Sequence, residues 1–234
     1  PADGGVEYAY DADKNLTGLR TMLGDEVLVE NRYRYDGNGN RLEKQQLTGR
    51  TLYQYDPLNQ LIEVSYQGRT ETLFYDHAGK RTERISGGVE EYYSYDKLNH
   101  LTDYEKNGIH TEFQYDAAGN LLKDDRASYT YDAFNRNTKV ETFDGNIQIN
   151  HYDAEGLRHE MEENGKLVQD IFRDTEVIVE ETKEEQIRYI RTHELLSSDA
   201  ECARTYYHYA ADEMGSVTHV TTGNEILNRY EYDA

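Results

Sequence analysis

The sequence predicts an all-β protein made of tandem antiparallel hairpins. Three observations predict it. The dipeptide Tyr-Asp recurs along the chain, at a step of 20 residues through its best-ordered stretch. Gly or Asn follows three residues after each Asp in the regular units. Between Val6 and Lys166 no 3.6-residue amphipathic pattern interrupts the series.

The marker stands at 10–11, 35–36, 55–56, 75–76, 95–96, 115–116, 131–132, 152–153 and 232–233. From Tyr35 to Tyr115 the step of 20 repeats four times, then drops to 16 and rises to 21. A fixed period of this length is the mark of a repeat architecture.

Each part of the unit has a structural meaning. Two residues before the marker Tyr sits a large apolar residue: Tyr8, Tyr33, Tyr53, Leu73, Tyr93, Phe113 and Tyr129. A spacing of two puts both side chains on one face of a strand. The aromatic run Glu91-Tyr92-Tyr93-Ser94-Tyr95 is a strong strand signal.

After the Asp come Gly39, Asn59, Gly79, Asn99, Gly119, Asn135 and Gly156, the residue types that tolerate positive φ. The Asp side chain can accept backbone amides just downstream and start the turn. About twelve residues after the Asp comes a second Gly: Gly49, Gly68, Gly88, Gly108, Gly145 or Gly165. Gly87-Gly88, Asn107-Gly108, Asp144-Gly145 and Asn164-Gly165 favour two-residue hairpin turns. Strand-like runs such as Leu61–Tyr66 lie between the two turns. Two strands in 20 residues leave no room for crossover helices, so neighbours run antiparallel.

The unit from Tyr115 to Tyr131 lacks the second Gly and has Asp124-Asp125 near that place, predicting strands trimmed by about two residues each. The chain divides into tandem hairpins over 1–166 and continuing strands over 167–234. In the second part Glu176–Val179 and Gln186–Ile190 read as strands. Tyr207-His208-Tyr209 restores the aromatic spacing, with Ala210 at the Asp position. Met214–Thr218 reads as a turn leading into a strand.

Composition narrows the function. The 234 residues include 22 Tyr, 5 Phe and no Trp, and 36% are hydrophobic. Mean hydropathy is −0.96, yet this wealth of aromatics argues against disorder. A net charge of −21 repels phosphate backbones and anionic membrane surfaces. No apolar run approaches the ~20 residues of a transmembrane helix. Cys202 stands alone, so no intrachain disulfide can form. The start at Pro1-Ala2-Asp3-Gly4-Gly5 reads as that of a fragment whose targeting signals lie elsewhere.

Chemical motifs are weak. The His residues at 77, 100, 110, 151, 159, 193, 208 and 219 show no ligand spacing. No nucleophile elbow appears. Glu162-Glu163 and Glu180-Glu181 read as solvated strand faces. Asp11-Ala12-Asp13 and Asp153-Ala154-Glu155 space carboxylates closely but lack a full calcium loop. The expectation is no catalytic, cofactor or metal site. Glycan binding by stacked Tyr is the alternative use of the aromatics, weighed against aromatic ladders that stabilise the sheet face.

The sequence resembles the YD-repeat, or RHS-repeat, family. Tyr33-Arg34-Tyr35-Asp36-Gly37-Asn38-Gly39-Asn40-Arg41-Leu42 and Phe113-Gln114-Tyr115-Asp116-Ala117-Ala118-Gly119-Asn120-Leu121 match its repeat. Tyr207–Tyr209, Gly215–Thr218 and Tyr230–Ala234 look like the opening of its associated core. The family includes polymorphic toxins, wall-associated proteins, Tc-toxin components and teneurins. The resemblance implies a curved, spiralling sheet that forms part of a hollow shell. Bacterial members enclose a C-terminal toxin, which would make that domain and neighbouring repeats the partners, and the location extracellular. The family's self-cleaving aspartyl protease motif, Asp-Pro-x-Gly-Leu, is absent from these residues.

Overall fold

The computed structural model describes residues 4–191, 195–200, 205–223, 225–230 and 232. Every regular element in it is a β-strand. The first sheet runs β1 Gly4–Tyr10, β2 Leu16–Leu23, β3 Glu26–Tyr35, β4 Arg41–Gln45, β5 Arg50–Tyr55 and β6 Leu61–Tyr66. It continues with β7 Arg69–Tyr75, β8 Arg81–Ser86, β9 Val89–Tyr95, β10 Leu101–Lys106 and β11 Ile109–Glu112. The second begins β12 Gln114–Tyr115, β13 Leu121–Lys123, β14 Ala127–Tyr131, β15 Asn137–Thr142, β16 Ile147–Tyr152 and β17 Arg158–Glu163. Then come β18 Lys166–Arg173, β19 Glu176–Glu181, β20 Gln186–Arg191, β21 Leu195–Ala200, β22 Thr205–Ala211, β23 Val217–Thr222 and β24 Glu225–Arg229.

Strand order equals chain order in both sheets, β1 to β11 and β12 to β24. This is the antiparallel meander that the 20-residue step requires. Only Phe113 separates β11 from β12, and its amide still donates to the Thr102 carbonyl at 3.1 Å. The chain forms two compact units, one of residues 1–92 with 207–234 and one of residues 93–206.

The Asp turn is built the same way along the chain. At Asp36 the backbone amide donates to the Asn40 carbonyl (2.9 Å), and the Gly39 amide donates back to the Asp36 carbonyl (3.2 Å). Asp36 Oδ1 accepts the amides of Asn38 (2.8 Å) and Asn40 (2.9 Å). The same pair of amides binds the carboxylates of Asp56, Asp76, Asp96, Asp116 and Asp132. The fourth turn residue lies at positive φ, +84° at Gly39 and +62° at Asn59, where Gly and Asn cost least.

A β-bulge falls at each of these markers that has a printed register, for example between Arg34 and Tyr35 and between Phe74 and Tyr75. The bulge lets the five-residue bend close without flipping strand parity. The second turn is tighter. Gly87-Gly88, Asn107-Gly108 and Asn164-Gly165 hold both residues at positive φ between the directly paired Ser86 and Val89, Lys106 and Ile109, and Glu163 and Lys166. That is the two-residue turn whose twist matches the strands.

Two sequence expectations need correction. Asp144-Gly145 is not a two-residue turn. Thr142 takes the Asp role there, its amide donating to the Asn146 carbonyl (2.9 Å) and its hydroxyl accepting the Asn146 amide (2.9 Å). Ala210 does not stand at the Asp position either. Asp212 does: its Oδ1 accepts the amides of Met214 and Ser216, each at 2.9 Å, with the bulge between Ala210 and Ala211. Ala211 therefore replaces the marker Tyr while the turn Asp is kept. In the short unit β13 keeps three residues and β14 five, and Asp124 closes the bend by accepting the amides of Arg126 and Ala127.

The marker Tyr has a second role that explains why Phe does not replace it. Its hydroxyl donates to the carbonyl of the residue five beyond the preceding Asp. The bonds are Tyr35 to Leu16 (2.9 Å), Tyr75 to Leu61 (2.7 Å), Tyr115 to Leu101 (2.9 Å), Tyr152 to Asn137 (2.8 Å) and Tyr232 to Val217 (2.8 Å). Each ring thus covers its neighbour and ties one repeat to the one before. Its partner two residues earlier is buried at Tyr33, Tyr53 and Leu73, as the spacing predicts.

Candidate functional site

Within the first unit, the C-terminal hairpin reaches back to the N-terminal strands. Ala210 of β22 packs with Leu19 of β2 and Leu28, Val29 and Tyr33 of β3, flanked by Leu16, Leu23, Tyr35 and Ile226. The Asp212 turn then carries Glu213 into a socket formed by β3 and β4. One Glu213 oxygen accepts from the Tyr33 hydroxyl at 2.6 Å. The other lies 2.6 Å from Arg41 Nη1 and 3.2 Å from Lys44 Nζ. The carboxylate is 3% exposed, and Arg41 lies over the Tyr33 ring at 4.7 Å.

Register explains the convergence. Tyr33 pairs directly with Lys44, and Tyr35 with Arg41, across β3 and β4. Both cations therefore project on the face that carries the aromatics. Burial alone would raise the Glu213 carboxyl. The Tyr33 hydroxyl, Lys44 and Arg41 outweigh that and hold it below the ordinary glutamate value. Burial and the bond to Glu213 push the Tyr33 hydroxyl well above its ordinary value, so it stays a donor.

A second ionic group occupies the same face on β7, β8 and β9. Arg84 donates to Glu71 Oε2 through Nε (3.0 Å), and its Nη1 lies 3.1 Å from Glu91 Oε2. Ser86 Oγ and Arg69 meet the other Glu71 oxygen at 3.2 and 2.8 Å. Burial works against the Arg84 charge, but Glu71 and Glu91 outweigh it and raise its value. Both clusters consist of opposite charges already paired. The pairings link β3 and β4 to the Asp212 turn, and β7 to β8 and β9.

The residues weighed from sequence fall elsewhere. Asp11 spends its carboxylate on the amides of Asp13 and Asn15 and on the Asn15 side chain. Asp153 accepts the Leu157 amide at 2.8 Å. Glu180 is half-buried and takes the Tyr189 hydroxyl at 3.3 Å, while Glu181 is exposed. Adjacent strand residues point to opposite faces, so the two do not form an acid/base pair.

His100 hydrogen-bonds Asp96 at 2.9 Å and stacks on Tyr115 at 4.7 Å. His110 pairs across the hairpin with Asp103 at 3.0 Å. Cys202 and His193 lie outside the described residues. The Tyr hydroxyls and rings engaged between repeats favour packing over sugar stacking.

Sequence reasoning missed Glu213 because it placed the turn two residues early, at Ala210 instead of Asp212. The available signal was an acid beside a turn Asp, where the regular units carry Gly37, Pro57, His77, Lys97, Ala117, Ala133 and Ala154. Strand parity with Leu73 and Tyr93 places Glu71 and Glu91 on the aromatic face.

Comparison with known proteins gives a likeness of fold. A crystal structure titled TcdB2-TccC3-TEV matches 99% of this chain with a TM-score of 0.68 and 14% sequence identity. The Tc holotoxin pore of Photorhabdus luminescens, carrying a TccC3 D651A mutation, also matches 99% of the chain, at a TM-score of 0.65 and 14% identity. In both cases this chain spans 14% of the matched chain. No family model and no curated protein matches. The hairpin meander described above is thus similar to a segment of these toxin chains, and what is shown is the shared all-β architecture.

Proposed function

We propose that this chain is a non-catalytic structural segment of a large secreted or cell-surface protein of RHS/YD-repeat type, forming part of a β-shell that encloses or presents a C-terminal toxin or effector. The observation that carries the reading is the repeat-to-repeat Tyr bond, which ties a hairpin to the one before it at Tyr35, Tyr75 and Tyr115, the kind of nearest-neighbour contact a repeat wall needs. The whole-length match to toxin chains of far greater size supports it. In this reading the partners are the enclosed domain and the adjoining repeats, and the ionic clusters serve the wall rather than a reaction.

The test uses the longer protein that carries this segment. Deleting 96–115 removes one whole repeat and joins Tyr95 to Asp116. Deleting 96–105 removes a single strand and leaves its partner without a place. The wall reading expects the C-terminal domain to stay protease-resistant after the first deletion and to be cleaved after the second. Equal resistance in both, or turnover of a substrate abolished by neither, would count against it.

A further inference from the structure

We propose that Asn107 is a self-modification site, where the hairpin turn between β10 and β11 converts to isoaspartate. The reagents are the chain itself and water, and the inference stands whether or not the wall encloses anything.

Three dipeptides in the chain pair Asn with Gly: Asn38-Gly39, Asn107-Gly108 and Asn164-Gly165. In each, the Gly nitrogen can attack the Asn side-chain Cγ, because Gly has no Cβ to crowd the approach. The N–Cγ bond forms, the Cγ–Nδ2 bond breaks, and the Gly amide proton passes through solvent to the leaving nitrogen, which departs as ammonia. The product is a five-membered imide. Water then adds to the main-chain carbonyl carbon of the imide and breaks its bond to the Gly nitrogen. The chain now runs through Cγ, the former main-chain carbonyl is a free carboxylate, and no oxidant or reductant is consumed.

The step needs an Asn side chain and a Gly nitrogen that are both unengaged. At Asn38 neither is: Nδ2 donates to Asn59 Oδ1 at 3.1 Å, and the Gly39 amide donates to the Asp36 carbonyl at 3.2 Å. Asn164 is held through both ends of its side-chain amide. Its Oδ1 accepts the Ile147 amide at 2.9 Å, and its Nδ2 donates to Asn146 Oδ1 at 2.8 Å. Asn107 is exposed, and among the described residues its side chain and the Gly108 amide have no hydrogen-bond partner. A Cβ at Gly108 would meet nothing within 4 Å, so the space around the turn is open. One repeat earlier the corresponding turn is Gly87-Gly88, which has no side chain to offer, whereas the turn before Asn164 carries Asn146.

The backbone is alike at the two hairpins, which isolates the side chains as the difference. Asn107 and Gly108 stand at φ +54° and +74°, Asn164 and Gly165 at +50° and +82°. Rotating the peptide between the two residues carries such a turn into its type II′ form, with ψ of the first residue at about −120°. That rotation swings the Gly nitrogen toward the side of Cα that bears Cβ and Cγ, where the imide closes. Both forms are hairpin turns, so the pairing of Lys106 with Ile109 survives it. Asn164 must first release its two side-chain bonds.

The test holds the full chain at neutral pH and samples it over time. Peptide mapping reads amide-to-acid conversion at each Asn, and methyl transfer from S-adenosylmethionine by an isoaspartyl methyltransferase reads isoaspartate. Conversion at Asn107 should exceed that at Asn164 about thirtyfold, the factor set by two hydrogen bonds of about 1 kcal/mol each. Asn146→Ala removes one of those bonds and should narrow the gap about fivefold. In urea the two sites should convert at similar rates. Equal conversion in the folded chain, a gap that persists in urea, indifference to Asn146→Ala, or conversion at Asn107 without methyl acceptance would overturn the proposal.

Discussion

Replacing Glu213 by Gln tests the socket most directly. The substitution keeps the shape and lets the side-chain carbonyl still accept from Tyr33, but removes the one negative charge facing Arg41 and Lys44. Breaking a buried pair by deleting one partner costs about 3–5 kcal/mol, since the remaining charge is left uncompensated. Arg41 retains 23% and Lys44 15% side-chain exposure, which puts the expected loss at the lower end, about 3 kcal/mol.

The assay is urea denaturation combined with native-state amide exchange. Protection should fall first in β22 to β24, because the turn that anchors them has lost its tie to β3 and β4. A Glu213→Met, Arg41→Met, Lys44→Met triple variant should recover much of the loss, as an apolar cluster of similar volume carries no desolvated charge. A loss below about 0.5 kcal/mol, within the range of an ordinary surface change, would refute the view that the ion pair holds the hairpin.

Tyr75→Phe should cost about 1 kcal/mol by removing the 2.7 Å bond to the Leu61 carbonyl, measured as a shift of the denaturation midpoint. Lys14→Gly should stabilise by about 1 kcal/mol in the same assay, because Lys14 sits at φ +68° where a Cβ is strained. Acid should release the C-terminal hairpin. Glu213 has a folded value below its unfolded one, so its contribution is complete above about pH 4.3 and is lost as pH falls through the lower folded value. The turn carboxylates add in the same direction, Asp36 held down first by the Asn40 side chain and Asp96 by the His100 amide. Amide exchange in β22 to β24 followed from pH 6 to pH 2 should show this loss, and the Glu213→Gln variant should lack its Glu213-dependent part.

The sequence by itself determined the repeat. Tyr at fixed steps, an Asp whose side chain reaches amides two and four residues on, and Gly or Asn where φ is positive are local requirements, so they are written locally. That is why the strands around Leu61–Tyr66 and Glu91–Tyr95, and the paired turns at Gly87-Gly88 and Asn107-Gly108, are where the spacing puts them. Bulges escaped because one extra residue in a strand leaves no compositional trace, and the Asp212 turn was hidden because Ala211 stands where the marker Tyr would be. The tertiary structure alone decided that Glu213 meets Tyr33, Arg41 and Lys44, at 172 to 180 positions' distance for the Arg41 and Tyr33 contacts. Such a contact depends on how the last hairpins return to the first strands, and no periodicity in the chain encodes that return. Pairing strength between buried charges is set by desolvation and register, which only the folded chain supplies.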